Sequence, residues 1–340
     1  MKEILFQFGL AEENFLVLPF GNGLINTTWK IEDKHGNAKF ILQRINQQIF
    51  KQPADIAFNT RLIDKYLKKN FSDYLFVSPV VTIEGVELLK SDTGYYRMFP
   101  FIANSHTIEV VEKPEQACEA AKQFGRFTNL LAGLDAAQLK ITLPNFHNLP
   151  LRYQQFENAL QTGNPERITQ SKDLIAAIKL NKKIVDAYEV SKEKFTVRVT
   201  HHDTKISNVL FDSDDKGICV IDLDTVMPGY FISDVGDMMR TYLCPVSEEE
   251  KDFSKIKVRK EFYEAIVNGY LSEMGEELSE FEKEYFHYAG KFMIYMQSIR
   301  FLTDHLKDDS YYGAKYAGHN FVRAGNQLTL LQRLQEFNPG

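Results

Sequence analysis

The spacing of hydrophobic and polar positions changes about one third of the way along the chain. Up to residue 102, short apolar runs predict β-strands at residues 15–18, 27–31, 39–44, 74–77, 80–83, 86–89 and 95–99. The turn His35-Gly-Asn37 predicts a hairpin between the second and third of these strands. Residues 53–69 instead place apolar side chains at helical spacing, and Pro53 suits the first turn of a helix.

From residue 103 onward the apolar spacing is helical. Amphipathic stretches predict helices at residues 114–131, 152–160, 174–190, 258–271, 277–306 and 316–337, and a further helix from Val235 with Ser233 or Asp234 as its cap. Short β-rich runs interrupt them at residues 195–200, 209–211 and 218–221. The sequence therefore predicts an α+β fold with a small sheet lobe at residues 1–102 and a larger, mainly helical lobe at residues 103–340. We expect a ligand in the cleft between the lobes.

Composition narrows the class of partner. The chain has 340 residues, 44% hydrophobic and 25% charged, with a net charge of −6, which argues against a nucleic-acid partner because such proteins present a basic face. No apolar run is long enough to span a membrane, and the first residues lack the cleavage site of a signal peptide. Cys118, Cys219 and Cys244 are an odd, widely spaced set, so disulfides and zinc sites are not expected. We expect a cytoplasmic protein without nucleic-acid or membrane partners.

The stretch VTHHDTKISNVLFD places several chemically active residues between two apolar runs. His201, Asp203 and Asn208 occupy the fixed positions of the pattern H-x-D-x-x-x-x-N, which is typical of phosphoryl transfer. In that chemistry the aspartate accepts the proton of the attacking hydroxyl, and the asparagine reaches a magnesium ion. Lys205 lies between them, where an ammonium group neutralises charge on the phosphoryl group.

Asp222 ends the next apolar run and is the second candidate magnesium ligand. A turn at residues 213–217 would return the chain and bring Asp222 close to Asn208. Asp224 is a further candidate, for the substrate or the metal, with an exposed residue as the alternative. Each residue alone favours an ordinary structural role, as a core histidine, a turn residue or a strand end. Their combination in this order favours a kinase.

The first lobe should then hold ATP. Gly21 and Gly23 lie between two predicted strands, where backbone amides approach phosphates. Asn26 stands where a third glycine is usual, so a plain hairpin turn is an equal interpretation. In the strand where kinases carry a lysine, this sequence has Gln43 at the inward position and Arg44 beside it, and either residue is a candidate for contacting phosphate.

The junction between the lobes is expected to contact adenine. Met98, Phe99 and Phe101 would provide backbone groups and apolar walls there. The helix predicted at residues 53–69 has no clear glutamate to pair with a lysine. The lysine–glutamate ion pair of protein kinases is therefore not predicted for this chain.

Taken together, HHDTKISNVLFD and VIDLDTVMPG resemble the aminoglycoside phosphotransferase and choline kinase superfamily, which has a protein-kinase-like fold. The stretches FGNGLIN, FILQRIN, YRMFPF and RFLTDH resemble N-acetylhexosamine 1-kinases more closely. Those enzymes transfer the γ-phosphate of ATP to the anomeric hydroxyl of N-acetylglucosamine or N-acetylgalactosamine. The similarity covers residues 16–324.

The resemblance implies roles for the residues that match. It implies Asp203 as the base, Asn208 and Asp222 as magnesium ligands, and Gln43 with Arg44 in place of the lysine. It also implies that Arg300 and Asp304 lie near the sugar, although a buried ion pair between them is an equal alternative. The expected function is an ATP- and Mg²⁺-dependent sugar kinase.

Two other functions are compatible with the sequence. One is a kinase of the same fold for an aminoglycoside, choline or homoserine. The cationic acceptors among these need acids or aromatic cages, and the acidic residues 248–252 are candidates for such a site. The other rival is a pseudokinase, which the missing lysine favours and the intact Asp203, Asn208 and Asp222 disfavour.

Overall fold

The structure is a computed structural model that describes residues 1–21 and 25–337. Its strands are β1 (Phe15–Pro19), β2 (Thr27–Asp33), β3 (Ala38–Ile45), β4 (Leu89–Ser91), β5 (Gly94–Pro100), β6 (Arg198–Thr200), β7 (Val209–Phe211), β8 (Gly217–Val220) and β9 (Met227–Gly229). Its α-helices are α1 (Lys2–Gln7), α2 (Pro53–Asn70), α3 (Pro114–Leu130), α4 (Leu149–Thr162), α5 (Pro165–Gln170), α6 (Lys172–Leu180), α7 (Lys183–Ser191), α8 (Phe231–Tyr242), α9 (Lys260–Met274), α10 (Glu280–Glu284), α11 (Phe286–Leu306) and α12 (His319–Glu336). The predicted α+β class is confirmed, with a sheet lobe followed by a mainly helical lobe.

The sheet of the first lobe is antiparallel with strand order β1-β2-β3-β5-β4, and the predicted β2–β3 hairpin is confirmed. One face packs against α1, where Leu42 and Met98 join Leu5 in a small core. Side chains alternate between the faces of a strand, so Gln43 and Arg97, which are directly opposite in the β3–β5 register, point toward the other face. That second face is the wall of the cleft.

Helix α2 connects the two lobes through one buried amide. Asn59 is 1% exposed. Its Nδ2 donates to the carbonyl of Lys140 at 2.8 Å and to that of Val226 at 2.9 Å, and its Oδ1 accepts from the Lys140 backbone N–H at 2.7 Å. The helix is thereby fixed to two backbone segments of the helical lobe.

Replacing this amide should destabilise the whole molecule. The variant Asn59→Ala leaves buried backbone groups of Lys140 and Val226 without partners, so we expect the free energy of unfolding to fall by about 2–3 kcal/mol. Asn70→Ala is the matched control, because Asn70 lies exposed at the end of the same helix and bonds only the carbonyl of Tyr66. Denaturant titration measures both variants. Equal, small losses would show that the buried amide does not hold the lobes together.

Three of the strands predicted in the first lobe are wrong. Residues 74–88 form no regular strand, apart from a single bridge between Val80 and Met98. Tyr74 and Val77 pack into the core of the helical lobe instead, so their apolar side chains reflect burial against helices rather than pairing in a sheet. Strand β4 begins only at Leu89.

The predicted helices of the second lobe are mostly present with changed bounds. The helices predicted at 174–190 and 277–306 are each divided in two, and α1 was not predicted. Helix α11 is buried on nearly all sides, packs between α8 and α12, and forms the centre of the lobe. Cys219 is fully buried. Across residues 1–21 and 25–337, no helix combines the length and hydrophobicity that crossing a bilayer requires.

Two small antiparallel pairs position the candidate catalytic residues. In β6–β9, Thr200 lies opposite Met227, and in β7–β8, Val209 lies opposite Val220. The second pair is the hairpin predicted around the turn at residues 213–217. The H-x-D-x-x-x-x-N stretch therefore begins at the end of one pair and leads into the other.

Candidate active site

Residues 201–208, which we call the catalytic loop after their predicted role, are anchored at their start by His201. This side chain is fully buried, with its Nε2 3.0 Å from the carbonyl of Ile221 and its ring edge-on to Phe124 and Phe127. Burial lowers the pKa of His201 to about 4, so the ring is neutral at physiological pH. His201 is therefore a core histidine that also fixes the loop.

Two aspartates hold the loop from behind. Asp234 accepts the backbone N–H of His201 at 3.1 Å and that of His202 at 2.7 Å. Asp237 accepts the N–H of Thr204 at 2.9 Å. Desolvation by burial raises the pKa of Asp234 to about 7, because the hydrogen bonds only partly replace lost water. These two buried carboxylates therefore brace the loop through its backbone N–H groups.

The predicted start of helix α8 is wrong. The helix begins at Phe231, so Ser233 and Asp234 lie inside its first turn and cap nothing. Ser233 Oγ instead lies 2.7 Å from Nδ1 of His202 and within hydrogen-bond reach of Nδ1 of His147. The first turn of α8 therefore packs its polar side chains against the catalytic loop.

Asp203 projects from the loop beside Lys205. Its Oδ2 lies 3.1 Å from Nζ of Lys205, and its side chain is 27% exposed. Desolvation raises the pKa of Asp203, but the charge of Lys205 and hydrogen bonds from Lys205 and Asn208 outweigh it and lower the pKa below its usual value. The structure thus presents an ionised carboxylate with an adjacent ammonium at the open side of the loop.

Asn208 and Asp222 lie side by side, as the sequence predicts. The backbone N–H of Ile221 donates to the carbonyl of Asn208 at 2.8 Å, and Asp222 follows directly. The Nδ2 of Asn208 donates to the carbonyl of Asp203 at 2.9 Å, which leaves its Oδ1 available as a ligand. The backbone of Asp222 lies in the left-handed region, with φ of 61°. This conformation costs energy for a residue other than glycine.

The electrostatics of Asp222 fit a divalent cation. Desolvation and the nearby carboxylates of Asp224 and Asp203 raise its pKa to about 7. A bound cation would relieve that repulsion, and carboxylate and amide oxygens are the ligands that Mg²⁺ prefers. In the described part of the chain, no group of three His, Cys, Asp or Glu side chains is arranged to hold a metal.

Asp224 points toward the sheet lobe. It is 2% exposed, its Oδ2 accepts from Nδ2 of Asn26 at 2.7 Å, and its Oδ1 forms an ion pair with Arg97. The expectation that Asp224 contacts the acceptor is thus not supported by its placement. Arg97 could not be identified from the sequence, because its position across from Gln43 depends on the β3–β5 register.

Of the other residues predicted to contact the nucleotide, one faces the cleft and one faces away from it. Gln43 faces the cleft, whereas Arg44 is exposed on the opposite face, 3.4 Å from Oγ1 of Thr27. Gly21 has φ of 74° in an exposed turn, and Gly23 lies outside the described residues.

The residues predicted to contact adenine at the junction between the lobes also differ in the direction that their side chains face. Phe99 lies on the face of Arg97, and Phe101, half-buried, follows the end of β5. Met98 is fully buried in the core against α1. Its side chain therefore does not face the cleft, and the expectation that it walls the adenine site is corrected.

The predicted acceptor residues Arg300 and Asp304 are not paired with each other. Arg300 is half-buried, with its Cζ 5.8, 5.9 and 5.3 Å from the ring centroids of Phe146, Tyr311 and Tyr312. We call Arg300 and these three rings the aromatic–arginine cluster. Asp304 is 4% exposed and accepts the backbone N–H groups of Tyr311 and Tyr312 at 2.7 and 2.9 Å. Asp304 therefore orders the cluster from behind.

The cluster borders the catalytic loop. The ring of Phe146 stacks on His147 with 4.2 Å between centroids, and His147 lies 5.4 Å from the ring of His202, the residue before Asp203. Burial lowers the pKa of His147 well below its usual value, and nearby cations, Arg300 among them, add to this effect. Arg300, Arg240 and Arg152 thus all lie near His147.

The acidic residues 248–252 are neutralised by partners. Glu248 pairs with Arg240 at 2.8 Å and also with Arg323. Glu249 pairs with Lys315 at 2.8 Å, and Glu250 and Asp252 both pair with Lys255, at 3.2 and 4.0 Å. This segment is thus occupied by the protein's own cations rather than open to a cationic acceptor.

Solved structures with this fold are enzymes that act on several small molecules. The microcompartment-associated aminopropanol kinase is 18% identical, with 98% of this chain and 96% of that chain covered and a TM-score of 0.65. Aminoglycoside 2'-phosphotransferase-IIIa, in a GDP complex, is 13% identical over 96% of each chain, with a TM-score of 0.63. The ethanolamine kinase of Plasmodium vivax is 13% identical over 96% of this chain and 86% of that chain, with a TM-score of 0.55.

At these identities the similarity establishes the fold, which is that of the protein-kinase-like phosphotransferases. The sequence gives the more specific result. The family model of the phosphotransferase enzyme family (APH) matches residues 17–281, from the first strand through the catalytic loop to α10. The chain therefore belongs to the phosphotransferase enzyme family.

Proposed function

We propose that this protein is an ATP- and Mg²⁺-dependent kinase of a small sugar, and that its acceptor is the anomeric hydroxyl of N-acetylglucosamine or N-acetylgalactosamine. The proposal rests mainly on the aromatic–arginine cluster beside Asp203. This cluster is a surface suited to a sugar ring, and it lies next to a loop suited to phosphoryl transfer. Aromatic faces pack against the apolar side of a pyranose, and a guanidinium donates several hydrogen bonds to hydroxyl or carbonyl oxygens.

The charge of this region supports a neutral acceptor over a cationic one. Among the described residues, no carboxylate lies within ion-pair distance of Arg300, whose Nη1 donates only to Gln297 Oε1 at 3.2 Å. Arg152, Arg240 and Arg323 lie in the same part of the lobe, and Glu248 compensates the last two. A cationic amine bound here would meet like charge, which costs affinity. The similar kinases are named for amine-bearing acceptors, so this chain would differ from them in its acceptor.

The chemistry of the transfer follows from two side chains, Asp203 and Lys205. Asp203 accepts a hydrogen bond from the acceptor hydroxyl, orients its oxygen toward the γ-phosphorus and takes its proton late in the transfer. An anomeric hydroxyl is more acidic than an ordinary alcohol, so a carboxylate with a lowered pKa is an adequate base. The ammonium of Lys205, next to Asp203, offsets the negative charge of the phosphoryl group.

The residues that would hold Mg²⁺ are Asn208, through Oδ1, and Asp222, through its carboxylate. When bound, the ion would neutralise the charge of the ATP phosphates. The backbone of Asp222 adopts the left-handed conformation at an energetic cost, and such strain is common at functional sites.

A panel of acceptors tests this proposal. We would measure ADP release from Mg-ATP with both N-acetylhexosamines, their parent hexoses, homoserine, choline, ethanolamine and an aminoglycoside. The proposal predicts the highest kcat/KM for an N-acetylhexosamine and background rates for the cations. Higher kcat/KM for choline, ethanolamine or the aminoglycoside would reject the sugar in favour of the rival acceptor class.

Arg300 should act on the acceptor alone. In Arg300→Gln we expect the KM for the sugar to rise about 10- to 100-fold while the KM for ATP stays within about twofold, because a charge-assisted hydrogen bond to the acceptor is lost. The control is Arg333→Gln, an exposed arginine of α12 that pairs with Glu336 at 3.1 Å. Equal increases in both KM values would argue that Arg300 only supports the fold.

A further inference from the structure

Arg97 lies on the cleft face of β5, directly across from Gln43 of β3. Protein kinases carry a lysine on their third strand that pairs with ATP phosphates. On that strand this chain has the uncharged Gln43 toward the cleft and Arg44 on the opposite face. We propose that Arg97 is the cation that binds the nucleotide phosphates, so that the charge is supplied from the neighbouring strand. The inference rests on the proposed function in taking the ligand to be a nucleotide.

The guanidinium of Arg97 is held in one position. Its side chain is 6% exposed. Its Nε donates to Oε1 of Gln43 at 3.0 Å, and Gln43 in turn donates to Oγ1 of Thr28 at 3.3 Å. The Phe99 ring lies 5.1 Å from its Cζ. Gln43, at the position of the lysine, thus orients the arginine, and a planar guanidinium with fixed N–H groups suits phosphate oxygens.

The partner of Arg97 places it beside the predicted magnesium site. Its guanidinium pairs with Asp224, two positions after Asp222, and Asp224 also accepts from Asn26 at 2.7 Å. One carboxylate thus fixes both the arginine and Asn26, the residue before β2. Phosphates bound beside Asp222 would lie next to Arg97.

An ion pair this deeply buried is a poor source of stability. Removing two charges from water costs about as much as their attraction returns, so an apolar pair of similar size would serve packing as well. A buried arginine in a cleft is better explained by a ligand that needs its charge. The N–H groups of Arg97 not engaged by Gln43 and Asp224 remain for phosphate oxygens.

Other cations near the cleft are less suited to this role. Lys30 pairs with Glu32 at 2.6 Å, and Lys205 belongs to the catalytic loop, where it pairs with Asp203. Arg44 points away from the cleft. Within residues 1–21 and 25–337, Arg97 is thus the cation of this sheet that is both buried and in contact with the segment after Asp222.

We would measure the binding of ADP and of adenosine in the presence of EDTA. The difference between the two ligands reports on recognition of the phosphates, and EDTA removes any contribution from a metal ion. In Arg97→Gln we expect the Kd for ADP to rise about 10- to 100-fold and the Kd for adenosine to change less than about twofold. Arg97→Lys should give an intermediate Kd for ADP. Arg61→Gln is the matched control, since Arg61 is an exposed arginine of α2 that pairs with Glu87 at 3.0 Å.

Arg97→Gln leaves Asp224 buried without its partner, so a second variant guards against misfolding. Arg97→Gln/Asp224→Asn removes both charges at nearly constant volume and should show the same selective loss of ADP affinity. Equal losses for ADP and adenosine in the folded double variant would overturn the inference. So would an Arg44→Gln variant that loses ADP affinity while Arg97→Gln keeps it.

The same titration distinguishes this inference from the proposed function. A wild-type protein that binds ADP through Arg97 but phosphorylates no sugar supports the inference and rejects the sugar kinase. A wild-type protein that phosphorylates a sugar while Arg97→Gln binds ADP normally rejects the inference and leaves the sugar kinase intact. Failure of the wild-type protein to bind ADP and adenosine would overturn both.

Discussion

The Asp203→Asn variant should bind ADP as tightly as the wild type and lose about 10²- to 10⁴-fold in kcat. An amide has nearly the shape of a carboxylate but cannot accept the proton of the attacking hydroxyl. The backbone around residue 203 is fixed by Asp234 and Asp237 from behind, so the loop should keep its conformation. Steady-state kinetics with the best acceptor and calorimetric titration of ADP measure the two quantities.

Asp214→Asn is the matched control for this experiment. Asp214 is exposed in the turn of the β7–β8 hairpin, close in sequence to the catalytic loop but outside it. Its kcat should equal that of the wild type. A kcat for Asp203→Asn within about tenfold of the wild type would reject Asp203 as the base, since positioned bases contribute more than that.

Asp222→Asn should make the metal-free protein more stable while it abolishes magnesium-dependent nucleotide binding. The folded protein raises the pKa of Asp222 from 3.8 to about 7, mainly through desolvation and the nearby Asp224. The ionised group therefore destabilises the fold most above pH 7, and the penalty decreases as the pH falls from 7 toward the unfolded pKa of 3.8. We expect a gain of about 2 kcal/mol in the free energy of unfolding at pH 8, which shrinks as the pH falls and is lost only below about pH 4.

The same variant should bind Mg-ADP at least about 100-fold more weakly, with ADP binding in EDTA nearly unchanged. Asn tolerates the left-handed backbone at position 222, so strain should not obscure the result. Asp215→Asn is the control, because Asp215 is also left-handed, in the same hairpin, but a hydrogen bond from Gln116 lowers its pKa. It should gain no stability at pH 8. Retained Mg-ADP affinity in Asp222→Asn would contradict its role as a ligand.

Local chemistry was predictable where the spacing of residues fixes their geometry. Asp203, Asn208 and Asp222 lie within one loop and the hairpin that follows, so a short stretch of sequence determines how close they are. The inward position of Gln43 also followed from alternation along a single strand.

Contacts between distant segments were not predictable in this way. The placement of Arg97 across from Gln43 depends on which strands pair and in what register, and the intervening residues 46–93 do not reveal it. The direction of Asp224 likewise depends on Arg97. The strands predicted at 74–89 are wrong because apolar runs report burial, and here the partner of that burial is a helical core.

The most direct test of the proposed function is the position of the phosphate in the product. We would incubate the protein with Mg-ATP and each N-acetylhexosamine and record phosphorus and proton NMR spectra. The proposal predicts a new sugar phosphate whose phosphorus couples to the anomeric proton. A phosphate on another carbon, or transfer only to an amine-bearing acceptor, would contradict it.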